Sequence, residues 1–126
     1  MSGESHPDDH VRDTLSRLHD DPEKRIRTLA NRNPSAEAID AQASVFRALG
    51  NADRLRILAI LREGECCVCE LQATLKRPQS TIASHLATLR EAGLITARKS
   101  GKWTYYRITD TGTLQLLDLA TAIGGD

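Results

Sequence analysis

The chain has 126 residues and a mass of 13.9 kDa; 40% of its residues are apolar and 27% are charged. This length is below the ~150 residues of a typical domain, and the composition is that of an ordinary globular protein, which excludes collagen-like and fully disordered classes. No apolar run approaches the roughly 20 residues that a membrane-spanning helix needs, and the polar, acidic N-terminus is unlike a signal peptide. We therefore expect one globular core in the cytoplasm, with no membrane partner.

The formal net charge is zero, from 17 basic and 17 acidic residues, but the charges are unevenly distributed. The segment 76–107 contains seven basic residues and one acidic residue, Glu91, which is a net charge of +6. A local excess of this size is typical of a surface that binds a polyanion, because lysine and arginine displace counterions from phosphates. The charge alone is equally compatible with a solvated basic surface, so the elements that contain it must decide.

Residues 1–35 form a polar N-terminal extension with scattered apolar positions. Helical spacing predicts a short helix over 9–19, and the proline before 23–31 can start a second helix there. Ser35 or a neighbour can cap the helix that follows. We expect the extension to be partly helical or disordered, and residues 36–126 to form the folded domain.

The folded domain begins with two predicted helices. Apolar spacing predicts the first over 36–49, where Gly50 would adopt the left-handed conformation that ends many helices. Asn51 can cap the next helix, 52–62, whose apolar residues occupy almost its whole circumference, as in a buried central helix.

Two further helices are predicted over 70–76 and 79–91, separated by a proline that cannot continue the first one. The second has a narrow apolar stripe on one face, whereas its opposite face has small, uncharged side chains. Such a face can enter a DNA groove and hydrogen-bond base edges or phosphates. His85 lies at the flank of the stripe, where packing is the alternative to a base contact. The residues predicted to contact DNA from this helix are Gln79, Ser80, Thr81, Ser84, His85 and Thr88.

Residues 95–109 contain two β-prone runs around Ser100-Gly101, a pattern typical of a β-hairpin. Its basic tip is predicted to contact DNA through Arg98, Lys99 and Lys102. A last helix over 113–123 has an apolar side larger than a small core can bury, which favours dimerisation.

The order of two helices, a short helix, a recognition helix and a β-hairpin is that of a winged helix-turn-helix. Residues 37–123 resemble the ArsR/SmtB family of metalloregulatory repressors, on the strings FRALGNADRLRILAIL, ECCVCEL, QSTIASHLATLREAGLI and RKSGKWTYYRIT. The predicted fold class is therefore α+β, mostly α, with a two-stranded β-hairpin wing. The resemblance implies a homodimer formed by the first and last helices, which binds palindromic double-stranded operator DNA and is released by an inducer. Two-fold symmetry would place the paired recognition helices in successive major grooves.

Three cysteines, Cys66, Cys67 and Cys69, lie within four positions, too close together to link distant parts of the chain. Within the family, CVCEL resembles the CVCDL string of arsenic and antimony sensors, which puts Cys67 and Cys69 at the sensing positions. The best-known members have a further cysteine where this chain has Gln72, so Cys66 is the available third ligand. Because thiolates select soft ions, the expected inducer is As(III) or Sb(III), and no permanent cofactor is expected.

The spacing of these cysteines also predicts their backbone. Side chains two residues apart diverge on a helix but share a face of an extended segment, so we expect the thiols at the entry to the short helix. Val68 would be buried there, and Cys69 would lie near the positive end of the helix dipole. Adjacent Cys66 and Cys67 would project to opposite faces, so binding by all three thiolates requires a local kink or a contribution from elsewhere, and binding by two is the alternative.

Several alternatives are open at the level of sequence. The cysteines can be small buried hydrophobes, a thiol-based redox or reactive-sulfur switch, or the site of a cadmium or lead sensor. A nitrogen ligand can come from His6, His10 or His19 if the extension folds across the cysteines. A winged helix used only for protein contacts would have no affinity for DNA. An enzyme is not expected, because the sequence has no paired carboxylates, no nucleophile with its base and no phosphate-binding loop.

Overall fold

A computed structural model describes residues 7–125 of the chain. The chain forms two compact units, divided between Ile39 and Asp40. The elements of the described residues are α1 (Pro7–Leu18), α2 (Pro22–Ala30), α3 (Ala36–Leu49), α4 (Ala52–Leu61), β1 (Cys66–Cys67), α5 (Val68–Leu75), α6 (Gln79–Glu91), β2 (Ile95–Ser100), β3 (Trp103–Ile108) and α7 (Thr111–Gly124).

The first unit contains both helices that were predicted in the extension, α1 and α2. Asp21 precedes α2 and accepts a hydrogen bond from the Lys24 N–H at 3.1 Å, which satisfies one of the free donors at the start of the helix. Arg12 of α1 forms an ion pair with Glu23 of α2. Both helices are amphipathic, so the two can pack against each other in spite of their polar composition.

The core of the second unit lies between α4, α5 and α6. The predicted apolar stripe of α6 is confirmed, because all three of its members are fully buried. The prediction that α4 is buried all round is wrong at Leu55, which is 40% exposed. Leu55 lines a surface hollow together with Phe46 and Leu117 instead of entering the core. The largest fully buried side chains are Ile57, Leu58, Leu71, Ile82, Leu86 and Leu89.

The turn between α3 and α4 and the turn between α5 and α6 differ in whether they contain a residue with a left-handed backbone. Asn51 caps α4 as predicted, with its side-chain oxygen accepting the Arg54 N–H at 3.0 Å. The left-handed conformation predicted for Gly50 is wrong, because the chain passes from α3 directly into the extended backbone of Asn51. A Cβ at Gly50 would lie 3.3 Å from the carbonyl oxygen of Phe46, so the close approach favours glycine there. Among the described residues, Lys76 is the non-glycine residue with a left-handed backbone, at φ 57°; it ends α5 and opens the turn into α6.

The β-hairpin forms a sheet with one more strand than predicted. Its loop is Gly101-Lys102, one residue later than expected, since Ser100 pairs with Trp103. The short strand β1 pairs antiparallel with β3, which gives the strand order β1-β3-β2. This pairing connects the cysteine segment directly to the wing, the hairpin formed by β2 and β3.

The last helix, α7, begins at Thr111, two residues before its predicted start, and the Asp110 side chain caps it by accepting the Thr113 N–H at 3.3 Å. Arg62, which follows α4, donates to Asp118 of α7 at 2.8 Å and attaches the two helices to each other. Leu119 on the same helix is exposed. Among residues 7–125, no helix combines the length and the apolar composition that crossing a membrane requires.

Candidate functional site

The cysteine segment is where a strand becomes a helix. Cys67 is the last residue of β1 and precedes α5, with an extended backbone at φ −93° and ψ 168°. Its N–H donates to the carboxylate of Glu70 at 2.9 Å, which holds the helix entry closed. This hydrogen bond keeps the pKa of Glu70 below its usual value, so Glu70 remains a carboxylate at neutral pH.

The thiols of Cys67 and Cys69 are in contact, with their sulfurs 3.0 Å apart. Cys67 is extended whereas Cys69 belongs to the first turn of α5, so the two converge from different backbones. The prediction that both lie in one extended segment is therefore wrong in its detail, because the helix begins at Val68 and not at residue 70. Cys67 is the buried residue, at 7% exposure, whereas Val68, predicted to be buried, is only half-buried and Cys69 is exposed.

The surroundings keep two of these thiols protonated in the free protein. The hydrogen bond with Cys69 raises the pKa of Cys67. Burial, together with the nearby charges of Glu70 and Glu65, raises the pKa of Cys66. A metal cation that binds these sulfurs must therefore displace protons, and its affinity should rise with pH, whereas arsenous acid removes the thiol protons as water.

Cys66 is separate from the other two thiols. Its sulfur lies 3.9 Å from the carbonyl oxygen of Gly64, to which the thiol donates. Adjacent strand residues project to opposite faces, which accounts for this separation from Cys67. Within the described range, 7–125, no three His, Cys, Asp or Glu side chains come together to hold one metal ion. The three-cysteine set predicted from the sequence is thus assembled only as the pair of Cys67 and Cys69.

Of the predicted nitrogen ligands, His10 belongs to α1 and His19 follows it, both in the first unit. His6 lies outside the described residues.

A cleft of about 400 Å³ adjoins the thiol pair, and nothing in the sequence pattern indicated it. Besides Cys67 and Cys69 its walls include Gln72 of α5 and Gln79, the first residue of α6. The wing contributes residues 102–104 and Tyr106, so the cleft brings the thiols, the start of α6 and the wing to one place.

The predicted DNA contacts on α6 differ in exposure. Gln79, Ser80 and Ser84 are exposed, whereas Thr81 and Thr88 are half-buried. A three-residue turn joins α5 to α6, as in a helix-turn-helix. Ser80 and Ser84 lie opposite the buried stripe and present short polar side chains to solvent, whereas Gln79 is the first residue of the helix and lies beside the stripe.

The side chain of His85 is mostly buried between neighbouring helices in this structure. Its side chain is 14% exposed, and Arg54 donates to its Nδ1 atom at 3.3 Å. Arg54 also donates to the backbone oxygen of Ala48 at 2.6 Å, so the pair attaches α6 to α3 and α4. This environment favours the packing interpretation of His85 over a base contact.

The basic residues of the wing differ in whether they form an ion pair. Arg98 donates to Glu65 at 2.8 Å and stacks on the ring of Tyr105, with its guanidinium carbon 4.9 Å from the ring centroid. The bonded guanidinium keeps the pKa of Glu65 below its usual value, so the ion pair is complete at neutral pH. Lys99 and Lys102 are exposed, and within the described residues neither takes part in an ion pair.

Residues 51–97 match the family model for bacterial regulatory proteins of the arsR family. An uncharacterized HTH-type transcriptional regulator of Methanocaldococcus jannaschii is 42% identical over 84 residues, which are 66% of this chain and 94% of that protein. The arsenical resistance operon repressor of Escherichia coli is 47% identical over 66 residues, 52% of this chain and 56% of that protein. The chain thus matches only about half the length of this second relative.

A similar solved structure is the homodimeric winged helix-turn-helix DNA-binding domain of a possible ArsR-family transcriptional regulator from Mycobacterium bovis. It is 32% identical, with a TM-score of 0.67, and the match covers 71% of this chain and 82% of that one. The family match, residues 51–97, covers α4, β1, α5 and α6 and ends within β2, so it contains the cysteine segment and the helix-turn-helix.

Proposed function

The chain belongs to the ArsR/SmtB family of DNA-binding transcriptional repressors, and on this basis we propose that it is a homodimer that leaves its operator when As(III) or Sb(III) binds the thiols of Cys67 and Cys69. The family consists of regulators, not enzymes. The observation that supports the choice of inducer is the 3.0 Å separation of the two sulfurs at the entry to α5. Two soft donors this close can bond to one soft, thiophilic centre. Cys66 would join as a third thiol only after turning away from Gly64.

The DNA-binding half of the proposal is supported by α6 and the wing. The exposed polar face of α6 would enter the major groove, where Gln79, Ser80 and Ser84 can hydrogen-bond base edges. Lys99 and Lys102 at the wing would contact phosphates alongside the groove, which positions the protein without reading sequence.

The dimer is supported by the apolar surface that the second unit leaves exposed. Phe46 of α3 is 59% exposed and Leu119 of α7 is equally so. An exposed surface of this kind on a small protein is typical of a protein interface. The relative from Mycobacterium bovis is homodimeric. A two-fold axis would present two copies of α6 to the two halves of a palindromic operator.

The thiol pair is connected to both DNA-binding elements. Cys69 lies in α5, which packs against α6, and Cys67 lies in β1, which pairs with the wing strand β3. An ion bonded to both sulfurs would change the geometry between the end of β1 and the first turn of α5, and would therefore move the wing and α6 relative to each other. Typical coupling of ~1–3 kcal/mol corresponds to about 5–150-fold weaker DNA binding, and DNA must weaken inducer binding by the same factor.

The decisive test is DNA-binding anisotropy on the gene's own upstream fragment, with reduced protein titrated separately with arsenite, cadmium and a mild oxidant. We expect arsenite to release the DNA. Cys67→Ser and Cys69→Ser should bind DNA as the wild type does but fail to release it. Cys66→Ser is the matched control, since its sulfur is apart from the pair. Retained release in both the Cys67 and Cys69 variants would remove these thiols from the mechanism.

A thiol redox switch is the second candidate, and the contact between the same two sulfurs favours it. An oxidant such as hydrogen peroxide could convert Cys67 and Cys69 to a disulfide, with two thiol protons and two electrons passing to the peroxide to give two waters. Release of DNA by peroxide and not by arsenite, lost in Cys69→Ser, would identify this function in place of metalloid sensing.

A further inference from the structure

A single guanidinium connects the last turn of α3 with the predicted recognition helix, α6. Arg54, in the first turn of α4, donates to the carbonyl oxygen of Ala48 at 2.6 Å and to that of Arg47 at 3.0 Å. Carbonyls in the last turn of a helix have no partner within the helix, so Arg54 caps α3 from outside. Its remaining nitrogen, Nη1, lies 3.3 Å from Nδ1 of His85 on α6.

The ring of His85 is held from two sides. A guanidinium has donors only, so Nδ1 of His85 is the acceptor and the proton of the neutral imidazole lies on Nε2. Nε2 faces Oδ2 of Asp53 at 4.0 Å, and Arg77 donates to the same oxygen at 2.9 Å. A donor on one side and a carboxylate on the other therefore fix the orientation of the ring.

The helices α3 and α6 differ in how they are attached to the core. Along α3, all of whose residues the structure describes, only Ala48 is buried, whereas α6 buries three apolar side chains. Apolar packing holds α6 against the core but is not directional. A hydrogen bond weakens steeply when its angle changes. The contact between Arg54 and His85 therefore restricts rotation of α6 relative to α3.

The same end of α3 contains the exposed residue Phe46, which the proposed dimer places in its interface. Phe46 directly precedes Arg47 and Ala48, whose carbonyls Arg54 holds. In a two-fold dimer, any displacement of α6 from α3 occurs in both subunits and changes the separation of the two recognition helices. The half-sites of an operator are spaced by whole turns of DNA, each about 34–36 Å. Such a displacement therefore affects binding to two half-sites together more than binding to one.

We propose that Arg54 and His85 are positioning residues for operator binding: they set the separation of the two recognition helices in the dimer, and neither contacts DNA. This inference rests on the proposed function and adds the connection that fits the dimer to two half-sites at once. It gives His85 a role other than the base contact predicted from the sequence.

The test measures anisotropy with the full chain on two DNA fragments, after footprinting has located the half-sites upstream of the gene. One fragment has both half-sites, and in the other an unrelated sequence replaces one of them. His85→Leu removes the acceptor, so it should weaken binding to the first fragment about tenfold and leave binding to the second within about twofold of wild type. His85→Asn, whose Oδ1 takes the place of Nδ1, should restore most of the lost affinity.

Variants of two arginines in α4 test the other end of the connection. Arg54→Lys keeps the charge, but one ammonium cannot occupy the three positions that the guanidinium nitrogens fill, so it should match His85→Leu. Combining the two substitutions should cause no further loss, since both residues act in one connection. Arg56→Lys is the matched control, because Arg56 donates to Asp53 within the same helix. It should bind both fragments as wild type does.

The two fragments also separate positioning from direct contact. Equal weakening on both fragments in His85→Leu would assign His85 to a DNA contact or to the folding of α6, and would overturn the positioning role. Unchanged binding to both fragments in His85→Leu and Arg54→Lys would overturn it as well, while the proposed function stands. Equal affinity of wild type for the two fragments would instead contradict the proposed dimer that reads two half-sites.

Discussion

Cys67 of β1 lies directly opposite Tyr105 of the wing strand β3. The same cysteine precedes the first residue of α5, and α5 packs against α6. One residue thus joins the wing on one side and the helix-turn-helix on the other. Because backbone pairing and helix packing are both rigid compared with a loop, a small displacement of Cys67 must be accommodated by the wing or by the helix-turn-helix.

The first prediction concerns the basic residues of the wing. Lys99→Ala and Lys102→Ala should each weaken DNA binding for every sequence and reduce the slope of log K against log salt by about 1, since each removes one phosphate contact. Arg98→Ala should change the slope less, because Arg98 is already neutralised by Glu65. Anisotropy titrations at several salt concentrations measure these slopes.

Glu65→Gln supplies the complementary variant, because it frees the charge of Arg98 while leaving that side chain in place. Its slope should be steeper than that of the wild type. Equal slopes for Arg98→Ala and Lys99→Ala would contradict the distinction between paired and unpaired basic residues.

Local patterns in the sequence were sufficient for most of the second unit. The buried stripe of α6 follows from 3.6-residue periodicity, and the caps at Asn51 and Asp110 follow from side chains that accept a backbone N–H. Each of these features depends on residues close together in the chain. The left-handed conformation predicted for Gly50 was wrong, because a glycine permits that backbone without requiring it, and the left-handed backbone of Lys76 at the end of α5 was not predicted.

The candidate site depends on pairings that local patterns do not contain. β1 is two residues long and exists because Cys66 and Cys67 meet Tyr106 and Tyr105 about forty positions later in the chain, and so it was not predicted. The neutralisation of Arg98 by Glu65 is long-range in the same way. The cysteine motif could identify Cys67 and Cys69, but the pairing of β1 with β3 is what brings the wing beside them and forms the cleft.

The second prediction concerns Asp53, whose pKa is lowered chiefly by its hydrogen bond with Arg77. The bond is 2.9 Å long and attaches α4 to the turn that precedes α6. Because the folded-state pKa is below the unfolded value of about 3.9, the stabilisation is present above that pH and is lost as pH falls through the folded-state pKa. At pH 7, Asp53→Asn should therefore have a lower free energy of unfolding than the wild type. The difference between the two free energies should shrink below about pH 4.

Urea denaturation at pH 7 and at pH 3.5 measures this difference. In the background of Arg77→Ala, the substitution of Asp53 should have a smaller effect at pH 7, since its main partner is gone. A difference between Asp53→Asn and wild type that stays constant with pH would show that Asp53 acts through packing and not through its charge.

The third prediction tests the proposed dimer through Phe46. Phe46→Ser should raise the dimer dissociation constant by about tenfold or more, because an aromatic side chain loses its burial at the interface. Val11→Ser is the matched control: Val11 is similarly exposed but belongs to α1 of the first unit. Sedimentation velocity over a concentration series measures both variants. Identical association of Phe46→Ser and wild type would place the interface elsewhere.

The fourth prediction concerns the N-terminal extension. Every buried apolar residue of the described chain lies at or after Ala48, and every residue proposed to contact DNA or arsenic lies at or after Cys66. A chain that lacks residues 1–30 should therefore fold, dimerise and bind the operator with unchanged affinity, and should still be released by arsenite. Anisotropy and sedimentation velocity on the shortened chain check these properties. Loss of the dimer would assign the extension to the interface. Loss of release alone would support the alternative in which a histidine of the extension supplies a nitrogen ligand to the inducer.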